Sequence, residues 1–581
     1  MPYKKLTKEQ MNAVEYDDNL LLTACPGSGK TKTLVSKLAY IIENKDRLLI
    51  GKRKVIALTY TNIAADTITE RLMSYGISDK SVWVGTIHSF CLQWIIKPNI
   101  NLVPRLSKGY VIIDEHEKEK LINDLKEKYD FGLYDNIITS LSINYQYEYL
   151  DKTSNHYKLV DEYHQYLRKN KYIDFELILN ISYRLLNEYS GMCGSLAALI
   201  HHVLIDEYQD TSTIQYEILR FIIEKGKSKI TLIGDQEQAI YTGLGAEIKN
   251  KEELIDYFKL ERLEDMALTG CFRSSQRIID FYKKYQDGGI DIQSKSLLKD
   301  FKSVVHIETT IDKSQLSNYI HEIIQSHLDS GLSEKEIVIL CPSWFDVMQR
   351  SRELDILDKD YSIDGLVVSP IPKSNNNMWL DLVSLALTEP SIENYLKRKM
   401  LANTLSEHLK DCCIFDTVLG VKGILKAVNR LDVSVDQSIE TWIEENVREF
   451  CSSLSINIDS NMLAMLNLNS LLESTRERIN KYDMQYRASD LERFFGKSKG
   501  IKITTCHSTK GDEYDIVICT GLLEGKIPHW NDVYVGTQHA NYVARRLLYV
   551  IGSRARKHLY MISERGHQTK KRVNYKITPQ L

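Results

Sequence analysis

Two parallel-sheet α/β cores, each interrupted by a mainly helical insertion, are the architecture this sequence predicts. Short Val/Ile/Leu runs bounded by polar residues or glycine recur in two groups. Most lead into stretches with helical spacing, the pattern of parallel strands covered on both faces. One run, Leu20 to Ala24, feeds a glycine-rich turn that opens a helix-like stretch from Lys32. Each group is also split by a long, glycine- and proline-poor stretch that reads as helical.

The first group comprises Asn19–Ala24, Lys54–Thr59, Val82–Val84, His202–Asp206 and Lys229–Gly234. The second comprises Val304–Glu308, Ile337–Leu340, Ile501–Thr505, Asp515–Cys519 and Leu559–Ile562. The expected first core therefore spans residues 1–91 and 199–266, with its insertion at 92–198. The second core spans 267–376 and 498–581, with its insertion at 377–497. The first insertion is rich in tyrosine, from Tyr129 and Tyr134 to Tyr183 and Tyr189. Such residues either pack amphipathic helices with hydroxyls at the surface, the commoner use, or offer stacking faces to single-stranded bases.

Bulk composition narrows the class. With 581 residues, 43% hydrophobic and 26% charged, the chain reads as globular rather than disordered. A net charge of −3 argues against a globally basic nucleic-acid binder, so any polyanion must be held in a local groove. The 10 cysteines are scattered without a C-x-x-C pair, which points to a reducing cytosol rather than zinc fingers or a disulfide framework. Met1 to Gln10 is charged where a secretion signal is apolar, and no apolar run reaches the ~18 residues of a membrane helix. A cytoplasmic chain with no membrane partner is expected.

The turn Ala24-Cys25-Pro26-Gly27-Ser28-Gly29-Lys30-Thr31 carries the chemistry. A strand, a glycine-rich turn and a helix start aim several backbone N–H groups at one point, where an anion fits. Gly27 and Gly29 let the chain wrap a phosphate, Lys30 can reach β- and γ-phosphates, and the Thr31 hydroxyl can ligate Mg²⁺. Ala24 departs from the G-x-x-x-x-G-K-[ST] pattern, and a plain glycine turn is the other reading. Asp206 and Glu207 end a buried run, at the sheet edge where open α/β folds bind ligands. Asp206 would hold Mg²⁺ through water and Glu207 would polarise the water attacking the γ-phosphorus; alternatively the pair caps the next helix. Gly234 to Tyr241 is a third strand end, whose Gln238 can sense the γ-phosphate.

In this order the segments resemble the superfamily 1 DNA helicases of the UvrD/Rep type, across both cores but largely outside the insertions. The resemblance implies two RecA-like P-loop cores, with ATP and Mg²⁺ held at Gly27, Ser28, Gly29, Lys30, Thr31 and Lys32. Leu6-Thr7-Lys8-Glu9-Gln10 is similar to the family's adenine-reading motif, in which Gln10 would pair with the base. Ala57–Ala65, with Tyr60, Thr61 and Asn62, and Gly85–Phe90, with Thr86 and His88, resemble strand-end loops that grip single-stranded DNA. Asp174-Phe175 matches a smaller motif. In the second core Cys271-Phe272-Arg273-Ser274-Ser275 resembles the segment in which Phe272 stacks on adenine and Arg273 reaches the γ-phosphate. Thr505 to Glu513 matches T-x-H-x-x-K-G-x-E, with His507 on DNA and Glu513 near the ribose. Arg545 to Ala555 resembles the last motif, with Arg554 as arginine finger.

The segment Tyr241-Thr242-Gly243-Leu244 departs from the family, placing Gly243 where a base-stacking tryptophan stands and Leu244 where an arginine stands. The grip on single strands would then be either weaker or supplied by Tyr60 and Tyr241. The wording of Thr23–Thr31 and Val84–Cys91 is also similar to the compact helicase-like subunit of Gabija-type anti-phage systems, which pairs with a separate nuclease. Little chain remains after Arg565 for a fused nuclease. The expectation is a 3′→5′ motor on single-stranded or tailed duplex DNA that serves a separate nuclease in anti-phage defence or DNA repair, with a stand-alone repair or plasmid helicase as the other reading of the same motifs. The alternative is an ATP-gated sensor or scaffold that does not unwind.

Overall fold

The computed structural model describes residues 5–581 apart from 46–52, 78–79, 114, 133–134, 136, 142–149, 241–247, 358–359, 364–368, 372–376, 393, 412–419, 433–436, 482–483, 485, 496–499 and 570–571. Tyr241, Gly243 and Leu244 lie outside the described residues.

The chain forms the two parallel sheets its apolar runs call for. The first has six strands: β1 (Leu20–Ala24), β2 (Lys54–Thr59), β3 (Val82–Thr86), β4 (Ile200–Asp206), β5 (Lys229–Gly234) and β6 (Glu264–Leu268). Their order is β3-β2-β4-β5-β1-β6, every pair parallel. All seven residues of β4 are buried, as a strand covered on both faces requires. Because β5 lies between β4 and β1, the carboxyl ends carrying Asp206, Gly234 and the glycine turn are neighbours. β6 is absent from the sequence reading: Glu-Asp-Met-Ala-Leu is an edge strand, mostly half-exposed, with no continuous apolar run to mark it.

The second sheet has β7 (Val305–Glu308), β8 (Ile337–Cys341), β9 (Lys502–Thr505), β10 (Tyr514–Cys519) and β11 (Ala555–Ile562). Its order is β7-β11-β10-β8-β9, again wholly parallel.

Between β3 and β4 the chain runs through helices Glu115–Lys128, Asn155–Lys169, Phe175–Glu188 and Ser190–Leu199, plus a two-strand pair, Val111–Ile112 with Tyr172–Ile173. Its apolar side chains join those of the first sheet in one cluster that includes Ile56, Phe90, Tyr163, Ile178 and Tyr208. The described tyrosines here mostly pack: Tyr163 is fully buried and donates to Asp174 Oδ2 at 2.6 Å, and Tyr129 donates to Glu162 at 2.6 Å. Between β8 and β9, helices including Met378–Ala386, Tyr395–Asp411, Ile439–Ser453 and Met462–Lys481 surround Trp379 and Trp442 in a core of their own. Among the described residues no helix is long and apolar enough to cross a membrane.

Candidate functional site

The turn after β1 demands glycine. Gly27 (φ 72°) and Gly29 (φ 83°) are left-handed, and a Cβ at either would stand 2.6 Å from Arg273 Cβ or 2.9 Å from Gln10 Nε2. Gly29 precedes helix α2 (Lys30–Glu43) without a side-chain cap, so the first N–H groups of that helix face the turn with no intrahelical acceptor. Ser28 is buried and donates its hydroxyl to the Cys25 carbonyl at 2.7 Å. Thr31 follows Lys30 in the first turn of α2.

Gln10 fastens this turn. It closes a capping box at the start of α1 (Lys8–Glu15): its N–H donates to Thr7 Oγ1 at 3.2 Å, and Thr7 N–H donates to its Oε1 at 3.0 Å. Its Nε2 donates to the Ser28 carbonyl at 2.9 Å. Pairing with adenine therefore requires exchange of these bonds. Lys32, next after Thr31, donates its ammonium to the Lys5 carbonyl at 2.8 Å. Two residues along a helix rotate the side chain by roughly 200°, to the face opposite Lys30.

The acids sit where β4 ends. Glu207 has left-handed backbone (φ 57°, ψ 45°), a conformation that costs a non-glycine residue roughly 1–2 kcal/mol and here swings its carboxylate toward Lys30. Lys30 Nζ donates to Glu207 Oε1 at 2.9 Å, and Gln209 Nε2 donates to Oε2 at 2.6 Å. Burial works to raise the Glu207 pKa, but the Lys30 and Lys510 ammonium groups outweigh it and hold the carboxylate ionised. Burial also opposes the Lys30 charge, yet Glu207, Asp235 and Asp206 keep it protonated. Asp206 is pushed up, first by burial and then by Glu207. Its Oδ1 is buried without a hydrogen-bond partner. An orphaned, buried carboxylate oxygen beside a second carboxylate fits a divalent cation.

Side chains of the second sheet complete the cleft. Lys510, after β9, ion-pairs with Asp210, donates to the Gln238 carbonyl at 3.0 Å and lies 3.8 Å from Glu207. Arg554 is 1% exposed: Nη2 donates to Gln238 Oε1 and Ser553 Oγ at 2.8 Å, Nε to the Val550 carbonyl at 3.0 Å, and Nη1 to the Thr509 and Asp512 carbonyls. Burial, then Arg273, lowers its pKa to about 10, so it stays charged at neutral pH. Gln238 Nε2 donates to Asp235 Oδ2 at 2.8 Å, and Tyr549 Oη reaches the same oxygen at 3.2 Å. Arg273 donates to Glu513 Oε2 and to the Ser553 carbonyl, each at 2.7 Å. Phe272 N–H donates to the Gly27 carbonyl at 2.8 Å while its ring stays 44% exposed.

The structure thus gathers Lys30, Asp206, Glu207, Gln238, Arg273, Glu513 and Arg554 around one cleft. Lys510, Asp210, Asp235 and Tyr549 join them, although no role was read for them in the sequence. The lysine of T-x-H-x-x-K-G-x-E was the available signal for Lys510. Nothing in sequence spacing places Asp210 against it, 300 residues away.

The nucleic-acid candidates follow strand ends: Tyr60 and Thr86 at the carboxyl edge of the first sheet, His507 at that of the second. Tyr60 ends β2 and is 44% exposed, and Thr61 caps helix α3 (Asn62–Ser74) by accepting from Ala64 N–H at 3.2 Å. Thr86 similarly caps the short helix Ile87–Phe90. His88 packs edge-on against Phe175 at 5.2 Å between ring centroids, and burial lowers its pKa to about 4. It is neutral at pH 7 and offers a hydrogen bond rather than charge. Burial likewise lowers the pKa of His507, which opens the turn after β9. Asp174 serves the fold: its Oδ1 caps Phe175–Glu188 through Leu177 N–H at 2.8 Å.

A P-loop completed by acids from its own sheet and cations from a second defines a two-core nucleotide-driven enzyme. The UvrD/REP helicase N-terminal domain matches residues 6–259, and the UvrD-like helicase C-terminal domain matches residues 196–566. The chain belongs to the UvrD-like helicase family, whose members are ATP-dependent DNA helicases. It is 23% identical to a probable DNA helicase II homolog of Mycoplasma capricolum subsp. capricolum, across 97% of this chain and 84% of that protein. It is also 23% identical to the ATP-dependent DNA helicases PcrA of Staphylococcus epidermidis and Staphylococcus aureus, across 96% of this chain and 83% of theirs.

Proposed function

We propose that this chain is a motor that hydrolyses ATP to move 3′→5′ along single-stranded DNA, opening tailed duplexes for a separate nuclease. The observation that carries the reading is the contact across the cleft of two cations with acceptors of the first core, Lys510 with the Asp210 carboxylate and Arg554 with the Gln238 amide oxygen. Phosphoryl transfer needs positioning and charge stabilisation from both sides of the phosphate. Thr31 and Asp206 are the residues that would hold Mg²⁺, which when bound neutralises phosphate charge and orients the leaving group.

Lys30 would exchange Glu207 for phosphate oxygens, and Glu207, ionised, would then accept a proton from the attacking water. Arg554 and Arg273, now held by Gln238 and Glu513, would turn to the γ-phosphate. Each hydrolysis would loosen one sheet from the other. Tyr60, Thr61, Asn62, Thr86 and His88 on the first, and His507 on the second, would hold the strand while the cores part and close.

The anti-phage assignment and the nuclease partner rest on the wording of Thr23–Thr31 and Val84–Cys91. We place partner docking on the insertions at 92–198 and 377–497. The test measures ATP turnover with and without single-stranded DNA, and unwinding of 3′-tailed against 5′-tailed duplexes. Stimulation by single strands with 3′-tailed unwinding supports the motor. Stimulation without unwinding selects the sensor reading that Gly243 and Leu244 favour. Affinity purification from the host at low salt is expected to recover a nuclease in near-equal amount.

A further inference from the structure

The loop after β8 carries two aromatic side chains that the fold leaves in water: Trp344 is 52% exposed and Phe345 73% exposed. Neither is on a loose segment. Ser343 caps the helix Trp344–Asp355 by accepting from Asp346 N–H at 3.2 Å, and its own hydroxyl donates to Asp346 Oδ2 at 2.6 Å. Lys526 holds Asp346 Oδ1 at 2.6 Å, and Pro342 packs so closely on Gly521 that a Cβ there would stand 2.6 Å from the ring. The helix start thus presents two adjacent large apolar side chains outward on a well-bonded support.

Register decides what lies beside it. β8 and β9 pair in parallel with Cys341 opposite Thr505, and Cys506 N–H still donates to the Cys341 carbonyl at 3.0 Å. Two chains that leave one sheet edge side by side start about 4.8 Å apart. The Trp344 loop therefore adjoins the His507 turn at the carboxyl edge of the second sheet. The first sheet repeats the design: β2 ends in exposed Tyr60, Thr61 caps α3, and Ile63 in its first turn is 79% exposed.

We propose that Trp344 and Phe345 form a base-stacking shelf for single-stranded nucleic acid on the second core. The occupant is an unpaired base, because every base has a π-face that an aromatic ring can cover, and because the shelf continues the His507 loop. This inference rests on the motor reading above and deepens it: Tyr60 would grip one stretch of strand and Trp344 with Phe345 another, one contact on each moving body.

The test compares binding of an oligothymidylate with binding of an abasic oligomer of equal length, for the full chain and for W344A, F345A and the double variant. Both side chains are exposed, so the variants are expected to fold, with unchanged melting temperature as the check. Loss of one stacked ring is expected to weaken oligothymidylate binding roughly 5- to 100-fold and to leave abasic binding unchanged. W344F is expected to recover most of the loss. If the native chain binds oligothymidylate and the double variant binds it equally well, the shelf is overturned while the motor reading stands. That outcome would point to a protein partner on the aromatic pair. If the native chain binds neither oligomer, the motor reading falls and the shelf with it.

Discussion

The two faces of the cleft are charged oppositely. The carboxyl edge of the first sheet presents Asp206, Glu207, Asp210 and Asp235 around Lys30; the other face presents Arg273, which follows the short strand Gly270–Cys271, with Lys510, Glu513 and Arg554 from the segments that lead into β10 and β11. Neither set is stable alone in a buried site, since each places like charges together in a low dielectric. They satisfy one another across the cleft, and the bonds that do so are those a nucleotide would exchange. On the proposed reading, closure and catalysis would draw on the same side chains. The two insertions differ in a second way: the first shares its apolar cluster with the first sheet, whereas the second closes a core of its own around Trp379 and Trp442. Motion of the second insertion as a unit would break no such shared core.

Breaking the charge pattern at its centre is expected to have the largest effect. Arg554→Ala removes a side chain that bonds both Gln238 and the second sheet's own carbonyls, and turnover should fall by roughly 10³ or more. Lys30→Ala should do at least as much. Glu207→Gln should bind ATP yet not turn it over. Steady-state turnover at saturating ATP, with nucleotide binding measured separately, checks all three, and a Glu207→Gln protein at full rate removes the general base.

Lys510→Met sharpens the comparison, because it strands Asp210, whose side chain is wholly buried. Removing one partner of a buried pair typically costs about 3–5 kcal/mol. Denaturant unfolding should show most of that loss, and adding Asp210→Asn should restore much of it. Additive losses in the double variant would mean that the pair is not coupled.

A pH effect separates the sheets more gently. His202 in β4 is buried against Thr231 Oγ1 at 2.8 Å, and burial, reinforced by Lys37, His201 and Lys229, keeps its pKa well below 6.5. The unfolded chain therefore binds a proton below pH 6.5 that the folded chain refuses. Stability should fall as pH drops below 6.5, by up to about 1.4 kcal/mol per pH unit from this group. His202→Asn should flatten that slope. The smallest effect is Thr7→Ala, which opens the capping box that ties Gln10 to Ser28. A loss of about 1 kcal/mol and a raised KM for ATP are expected, with kcat little changed.

Much of this was legible in one dimension. Each apolar run of the two groups forms a strand, to within a few residues, because a strand buried on both faces must be apolar throughout. The glycine turn reads directly because its backbone tolerates no other residue at Gly27 or Gly29. Edge strand β6 escaped, since half-exposed Glu264 to Leu268 carries no such run. Local chemistry, in short, is written in neighbours: which turn holds an anion, which strands end in carboxylates, which residue caps which helix. Tertiary structure alone decided that Lys510 closes on Asp210 and Arg554 on Gln238, that Gln10 is spent on the turn it was read to serve, and that the strand leading to Trp344 pairs with the strand leading to His507. Those facts depend on strand order and on the docking of two sheets, and long-range contacts leave no period or spacing in the chain that makes them.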